Sequence, residues 1–165
     1  MSQQPSEVDP SNDPLIGRVL SGRFTLLEVI GAGTMGRVYR ARQAPLGRVV
    51  AIKVLQRHAA LADDPHFKRR FFMEASLTAQ LRHPNTIQII DYGEEGEGED
   101  ELLYIAMEYL QGTTLADLID REGRLDWARS FSILQQVARA LREAHGHGVI
   151  HRDLKPANLW RACRT

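Results

Sequence analysis

Three glycines, Gly31, Gly33 and Gly36, stand in the segment GAGTMGRV, which ends on Val38. Glycines at this spacing let backbone amides approach phosphate oxygens with no Cβ in the way. The pattern serves either a dinucleotide-binding turn that opens a helix or a hairpin that covers phosphates. The following run RVYRA alternates and is β-prone, so both flanks read as strands and the hairpin is the better fit. A plain hairpin turn without a ligand remains the other reading of the glycines alone. Further along, Val50, Ala51 and Ile52 lead into Lys53, a lysine closing an apolar strand. Its ammonium needs an anion: a polyphosphate, or a carboxylate such as Glu74 on the next helix. Glu74 falls in register with Phe67, Phe71 and Leu81, toward the apolar side of that helix, which favours a buried ion pair. The ordinary alternatives are a solvated Lys53 at a strand edge and a Glu74 on a wet helix face. Last comes HRDLKPAN, in which His151, Arg152, Asp153, Lys155 and Asn158 are five polar residues at fixed offsets.

Positioning these groups requires strands first. Runs rich in β-branched and aromatic residues, bounded by Gly or Pro, predict strands over 24–30, 38–41 and 49–55. Asp64 and Pro65 read as an N-cap and a first-turn proline opening a helix, which His83, Pro84 and Asn85 end. Two more strands are predicted over 86–92 and 102–109. Between them, six of the nine residues in 93–101 are acidic, which predicts a solvated, mobile loop. Asp126 caps a long amphipathic helix carrying Trp127, Phe131, Leu134, Ala138, Leu141 and His145. The order β-β-β-α-β-β-α implies a small antiparallel sheet with one helix, followed by a helical region.

Composition narrows the remaining classes. Lys plus Arg and Asp plus Glu both count 21, so no net field points to nucleic acid or an anionic membrane as partner. One cysteine, Cys163, excludes an intramolecular disulfide framework and fits a reducing, cytoplasmic setting. No apolar run is long enough to span a membrane, and the opening residues lack the features of an export signal. In the first 14 residues Pro5, Pro10 and Pro14 with three acids and no base mark a flexible tail, whose bounds are taken as 1–23.

With the glycine hairpin, VAIK, a helical glutamate and HRDLKPAN in this order, the chain resembles the protein kinases from about Phe24 to Asn158. The resemblance is nearest to bacterial kinases of the eukaryotic type, through His83-Pro84-Asn85, the segment 104–112 and the phrase 144–158. It implies an α+β, protein-kinase-like fold: a complete N-lobe over 24–107, with a five-stranded antiparallel sheet and one helix, then a hinge and partial C-lobe over 108–165. It implies ATP and Mg2+ as cofactors and phosphoryl transfer to serine or threonine hydroxyls of a protein substrate. By the same resemblance Ile30 and Val38 would sandwich adenine, and Gly31, Gly33 and Gly36 would cover the phosphates. Ala51 would line the pocket, Lys53 would hold the α- and β-phosphates, and Glu74 would hold Lys53. Met107 would be the gatekeeper, Glu108 and Leu110 would bond adenine through their backbones, and Asp117 would lie near the ribose. Asp153 would accept the hydroxyl proton, Lys155 would neutralise the transferred phosphoryl, and Asn158 would bind a magnesium. Arg152 marks the subclass in which a phosphorylated activation loop provides a partner for this arginine.

After Asn158 the family continues with a short hairpin and Asp-Phe-Gly, whose aspartate binds the metal bridging the β- and γ-phosphates. Here the sequence closes LWRACRT, with no acidic residue after Asp153, and its basic, Trp- and Cys-containing end does not read as a strand. The expectation is therefore a chain ended early, inactive by itself because the metal ligand is central to the mechanism. A non-catalytic ATP-binding or interaction module and a non-functional fragment are the alternatives. An early end would also leave the Trp127, Phe131, Leu134 and Leu141 stripe partly uncovered.

Overall fold

The computed structural model describes residues 13–33, 36–56 and 66–162. The chain divides into two units, Met1–Arg69 with Ile90–Tyr109, and Arg70–Ile89 with Leu110–Thr165.

The first unit is built on a sheet. Its strands are β1 (Val19–Leu20), β2 (Phe24–Gly33), β3 (Gly36–Gln43), β4 (Arg48–Gln56), β5 (Ile89–Glu95) and β6 (Leu102–Glu108), in the spatial order β1-β2-β3-β4-β6-β5. The expected sheet of five strands is thereby corrected to six, the extra one being the two-residue β1. Neighbouring pairs from β1 to β4, and β4 with β6, are antiparallel. The β-branched and aromatic residues alternate as such a sheet requires. Tyr39, Ile52 and Ala106 lie opposite one another across β3, β4 and β6, as do Arg37, Val54 and Tyr104. That face carries the core: Leu15, Leu20, Phe24, Leu26, Tyr39, Ala41, Val50, Ile52, Val54, Leu102, Tyr104 and Ala106. Each of the larger side chains contributes about 1.5–3 kcal/mol by leaving water. Phe24 meets Tyr104 edge to face with ring centroids 5.9 Å apart.

Residues 13–23, expected within a flexible tail, are folded; residues 1–12 lie outside the described part. Composition misled here because the short apolar pairs Leu15-Ile16 and Val19-Leu20 show no strand-length run, yet Leu15 and Leu20 both enter the sheet's core. Backbone bonds tie the segment along β2, with Gly17 N donating to Leu26 O at 2.8 Å and Leu26 N to Arg18 O at 2.9 Å. Tyr104 Oη donates to Ser21 Oγ at 2.8 Å, Ser21 N donates to Glu95 Oε2 at 2.7 Å, and Arg23 pairs with Asp91.

Helix α1 (Phe67–Thr78) follows β4 in sequence; its expected cap, Asp64 and Pro65, lies outside the described residues. In its first turn Lys68 pairs with Glu94 and, at 2.8 Å, with Glu101. The acidic loop expected to be fully solvated is therefore tethered, and 98–100 form a short 3-10 turn. Strand β5 begins at Ile89 rather than residue 86, because His83 O accepts from Thr86 N and the segment is a turn.

The second unit holds β7 (Gly112–Thr114), α2 (Leu115–Glu122), α3 (Trp127–Gly146) and β8 (Trp160–Ala162). Asp126 caps α3 as expected, its Oδ1 accepting from Arg129 N at 2.9 Å. Arg82 N donates to Glu143 Oε1 at 2.8 Å and Asn85 Nδ2 to Gln136 Oε1 at 3.1 Å, so the turn after α1 docks on α3. Along α3, Trp127, Phe131 and Leu134 are 82%, 57% and 63% exposed. An apolar stripe of this kind favours self-association. Size-exclusion chromatography with light scattering is expected to show the apparent mass rising with concentration, and Phe131→Gln with Leu134→Gln is expected to suppress the rise. A wild-type chain that stays monomeric at all concentrations would contradict this.

Candidate functional site

In the first unit the register of three strands arranges the expected nucleotide residues. Val38 lies opposite Lys53, and Ala51 opposite Met107, while Ala51 and Lys53 are two apart on β4. All four therefore share the sheet face opposite the Tyr39–Ile52–Ala106 core. Val38, Lys53 and Met107 are half-buried and Ala51 is buried. Ile30 sits at a register shift between Val29 and Gly31, where a bulge re-aims the strand, and it is exposed. Gly31 lies opposite Val38, and Gly33 opposite Gly36.

The three glycines are not equivalent. At Gly36, with φ 139°, a Cβ would stand 2.1 Å from Val54 O. Gly36 is thus fixed by the close approach of β4, before any ligand is considered. Among the described residues a Cβ on Gly31 would meet nothing nearer than 3.8 Å, and one on Gly33 nothing within 4 Å. Space beside these two is open to a ligand. Gly36→Ala is expected to cost about 2 kcal/mol or more in stability, whereas Gly33→Ala leaves the melting temperature nearly unchanged. Calorimetric melting of the two variants checks the contrast.

Glu74 is exposed, and the buried residue of α1 is its neighbour Ala75. The expectation that Glu74 faces the apolar side of its helix is corrected by one position. Glu108 closes β6, opposite Val50, and Leu110 opens the second unit half-buried.

Within the second unit Asp117 is committed locally. Its Oδ2 accepts from Thr114 Oγ1 at 2.6 Å and Thr114 N at 3.1 Å, while Asp117 N donates to Thr114 Oγ1 at 3.0 Å. This capping box starts α2, and the Thr114 hydroxyl first, then its amide, holds the carboxyl below its ordinary pKa. The pattern Thr114-x-x-Asp117 would have located α2 in the sequence. Strand β8 pairs antiparallel with β7, Thr114 opposite Trp160 and Gly112 opposite Ala162. The chain's end therefore does form a strand over 160–162, against expectation. Gly112, at φ 149°, permits it, since a Cβ there would stand 2.1 Å from Arg161 O.

Between α3 and β8 runs the segment with the five polar residues. Asp153 N donates to His151 O at 2.8 Å across Arg152, whose φ is 61°. An i to i+2 bond over a left-handed non-glycine residue is a rare and strained turn. It presents three side chains together: Lys155 Nζ lies 2.9 Å from Asp153 Oδ2, and Asn158 Nδ2 donates to the same oxygen at 3.0 Å and to Asp153 O at 2.8 Å. Asp153 Oδ1 and Asn158 Oδ1 accept from no described residue. The hydrogen bond from Lys155, then that from Asn158, holds the Asp153 carboxyl below its ordinary pKa. It is a charged, exposed proton acceptor throughout the neutral range.

A protein kinase domain model matches residues 24–162, from the first long strand to the last. The chain belongs to the protein kinase family. Serine/threonine-protein kinase pkn3 of Myxococcus xanthus is 44% identical over 150 residues, 91% of this chain and 26% of that protein. Serine/threonine-protein kinase PrkC of Bacillus subtilis is 43% identical over 145 residues, 88% of this chain and 22% of that protein. The PknI kinase domain of Mycobacterium tuberculosis superposes with a TM-score of 0.73 at 34% identity, covering 89% of this chain and 58% of that domain. The kinase chain thus spans about a quarter of the length of these two curated relatives. Among the described residues no helix is long and apolar enough to cross a membrane.

Because the Lys155 bond is the largest influence lowering the Asp153 pKa, Lys155→Ala is expected to raise it toward the ordinary carboxylate value. Carbon-13 NMR titration of the Asp153 carboxyl reads the shift directly, and an unmoved midpoint contradicts the geometry.

Proposed function

We propose that this chain carries the ATP-binding face and the proton-accepting loop of a cytoplasmic serine/threonine protein kinase. The observation that carries the reading is the Asp153–Lys155–Asn158 group, ionised and held on a strained turn, in a chain of this family. Asp153 Oδ1 accepts the proton of a serine or threonine hydroxyl on a protein substrate. Lys155 carries a positive charge beside it, suited to the transferred phosphoryl group. Asn158 keeps its amide oxygen for magnesium, its nitrogen being occupied by Asp153. In the first unit, Val38, Ala51 and Met107 offer an apolar surface for adenine on the face from which Lys53 reaches the α- and β-phosphates. The open backbone at Gly31 and Gly33 fits the phosphates, and Ile30 stands at the bulge beside them. When bound, ATP provides the phosphoryl group and Mg2+ neutralises the charge that develops on it.

The donor set fits the nucleotide more fully than the metal. Among the described residues no group of three His, Cys, Asp or Glu could hold a metal ion. Magnesium at Asn158 would draw its remaining ligands from phosphate oxygens and water. The second reading, for the chain taken alone, is an ATP-binding module without transfer activity.

Two measurements separate the readings. ATP is expected to raise the melting temperature of the chain, and Lys53→Met to abolish the rise; no rise at millimolar ATP would exclude both. In a radiolabelled transfer assay the chain alone is expected to show no activity that Asp153→Asn removes. Asp153-dependent transfer would overturn the second reading and establish the first for this chain.

A further inference from the structure

Asp13 lies outside the residues that the kinase model matches, yet it is the one buried charged residue among those described, 5% exposed. Its oxygens are fully employed. Oδ1 accepts from Leu15 N at 2.8 Å, and Oδ2 accepts from Tyr39 Oη at 3.0 Å and pairs with Arg37. Burial pushes its pKa up, but the Leu15 amide, Arg37 and Tyr39 outweigh burial and hold it below the ordinary value. Burial, with Asp13 beside it, pushes the Tyr39 hydroxyl up to about 12. So Asp13 is an anion and Tyr39 a neutral donor under all ordinary conditions.

The partners place this anion mechanically. Arg37 follows Gly36, at the start of β3, and lies opposite Ala32 of β2 and Val54 of β4. Val54 is also the residue whose carbonyl abuts Gly36. Tyr39 lies two residues on, opposite Ile52. Both partners belong to the core face, while Val38 between them belongs to the face of Lys53. The segment bearing Asp13 is anchored independently, through Leu15, Leu20 and the backbone bonds to β2. A fixed strap thus grips the base of the glycine-rich hairpin from behind, at the two positions flanking Val38.

We propose that Asp13 is a positioning residue for nucleotide binding, fixing the base of the glycine-rich hairpin through Arg37 and Tyr39 so that its open backbone meets phosphate in one geometry. The proposal rests on the ATP-binding reading above. A preorganised hairpin loses less freedom when the ligand arrives, so its contribution falls on the phosphates and not on adenosine.

The variant of choice is Asp13→Asn. It keeps an oxygen for Leu15 N, and Arg37, one third exposed, regains water in place of the lost ion pair, so the sheet is retained. Displacement of a fluorescent ATP analogue from the full chain is expected to show ATP weakened about tenfold, roughly the loss of one charge-assisted bond. Adenosine affinity is expected to stay within about twofold. Asp13→Asn with Arg37→Gln is expected to be no weaker than either single variant, because the pair acts as a unit. Equal weakening of ATP and adenosine, or no weakening of either, overturns the proposal. A wild-type chain that binds no ATP defeats the nucleotide reading instead, and amide hydrogen exchange then decides. Faster exchange at 36–39 in Asp13→Asn, with 50–54 and 103–106 unchanged, supports the strap; uniform or absent change refutes it.

Discussion

Everything in the first unit depends on the register of β3, β4 and β6. Side chains alternate across a sheet with period two, so slipping β4 by one residue against β3 would carry Lys53 into the core and Ile52 onto the opposite face. Two features prevent that slip. One is the difference between the faces, since Tyr39, Ile52, Val54 and Tyr104 are almost wholly buried on one while Val38, Lys53 and Met107 are only half-buried on the other. The other is Gly36, whose Cα lies so close to Val54 O that no other residue type fits at this place in the register. The glycine that the resemblance assigns to phosphate is also the one that locks the strands carrying the lysine.

That lock is reinforced from the rear. A carboxylate as enclosed as Asp13 persists only if its lone pairs are satisfied, and here an amide, a hydroxyl and a guanidinium satisfy them. Among the described residues no buried side-chain nitrogen or oxygen lacks a partner. Residues 13–23 also reach the far side of the sheet through Ser21 and Arg23, so the segment joins strands distant in sequence. Arg37 and Tyr39 are thereby shared between the sheet's core and the strap.

The loop in the second unit works by the opposite means. Its groups are exposed, and their order comes from backbone geometry: a left-handed Arg152, a bond from Asp153 N back to His151, and a 3-10 turn over Pro156–Asn158. Strand β8 continues directly from this turn into its pairing with β7, and Leu115 N donates to Leu159 O at 2.7 Å. The start of α2 and the end of the loop bearing Asp153 are therefore held by the same short ladder. An exposed carboxylate keeps its charge readily, and the adjoining ammonium and amide deepen that preference.

The sequence by itself determined the family, the strands β2 to β4, the cap and extent of α3, and the identity of the groups on the loop. These rest on local signals: period-two alternation, turn residues, and five polar residues at fixed offsets. It also held an unused signal for α2 in Thr114 and Asp117. Only the tertiary structure decided that residues 13–23 are folded, that Glu74 is exposed beside a buried Ala75, and that residues 160–162 pair as a strand. The first and the last depend on partners far away in the chain: Asp13 on Arg37 and Tyr39, Leu20 on the sheet's core, Trp160 on Thr114. A short polar segment carries no periodicity of its own. Its burial is a property of the surface it meets, and that surface exists only after the sheet has formed.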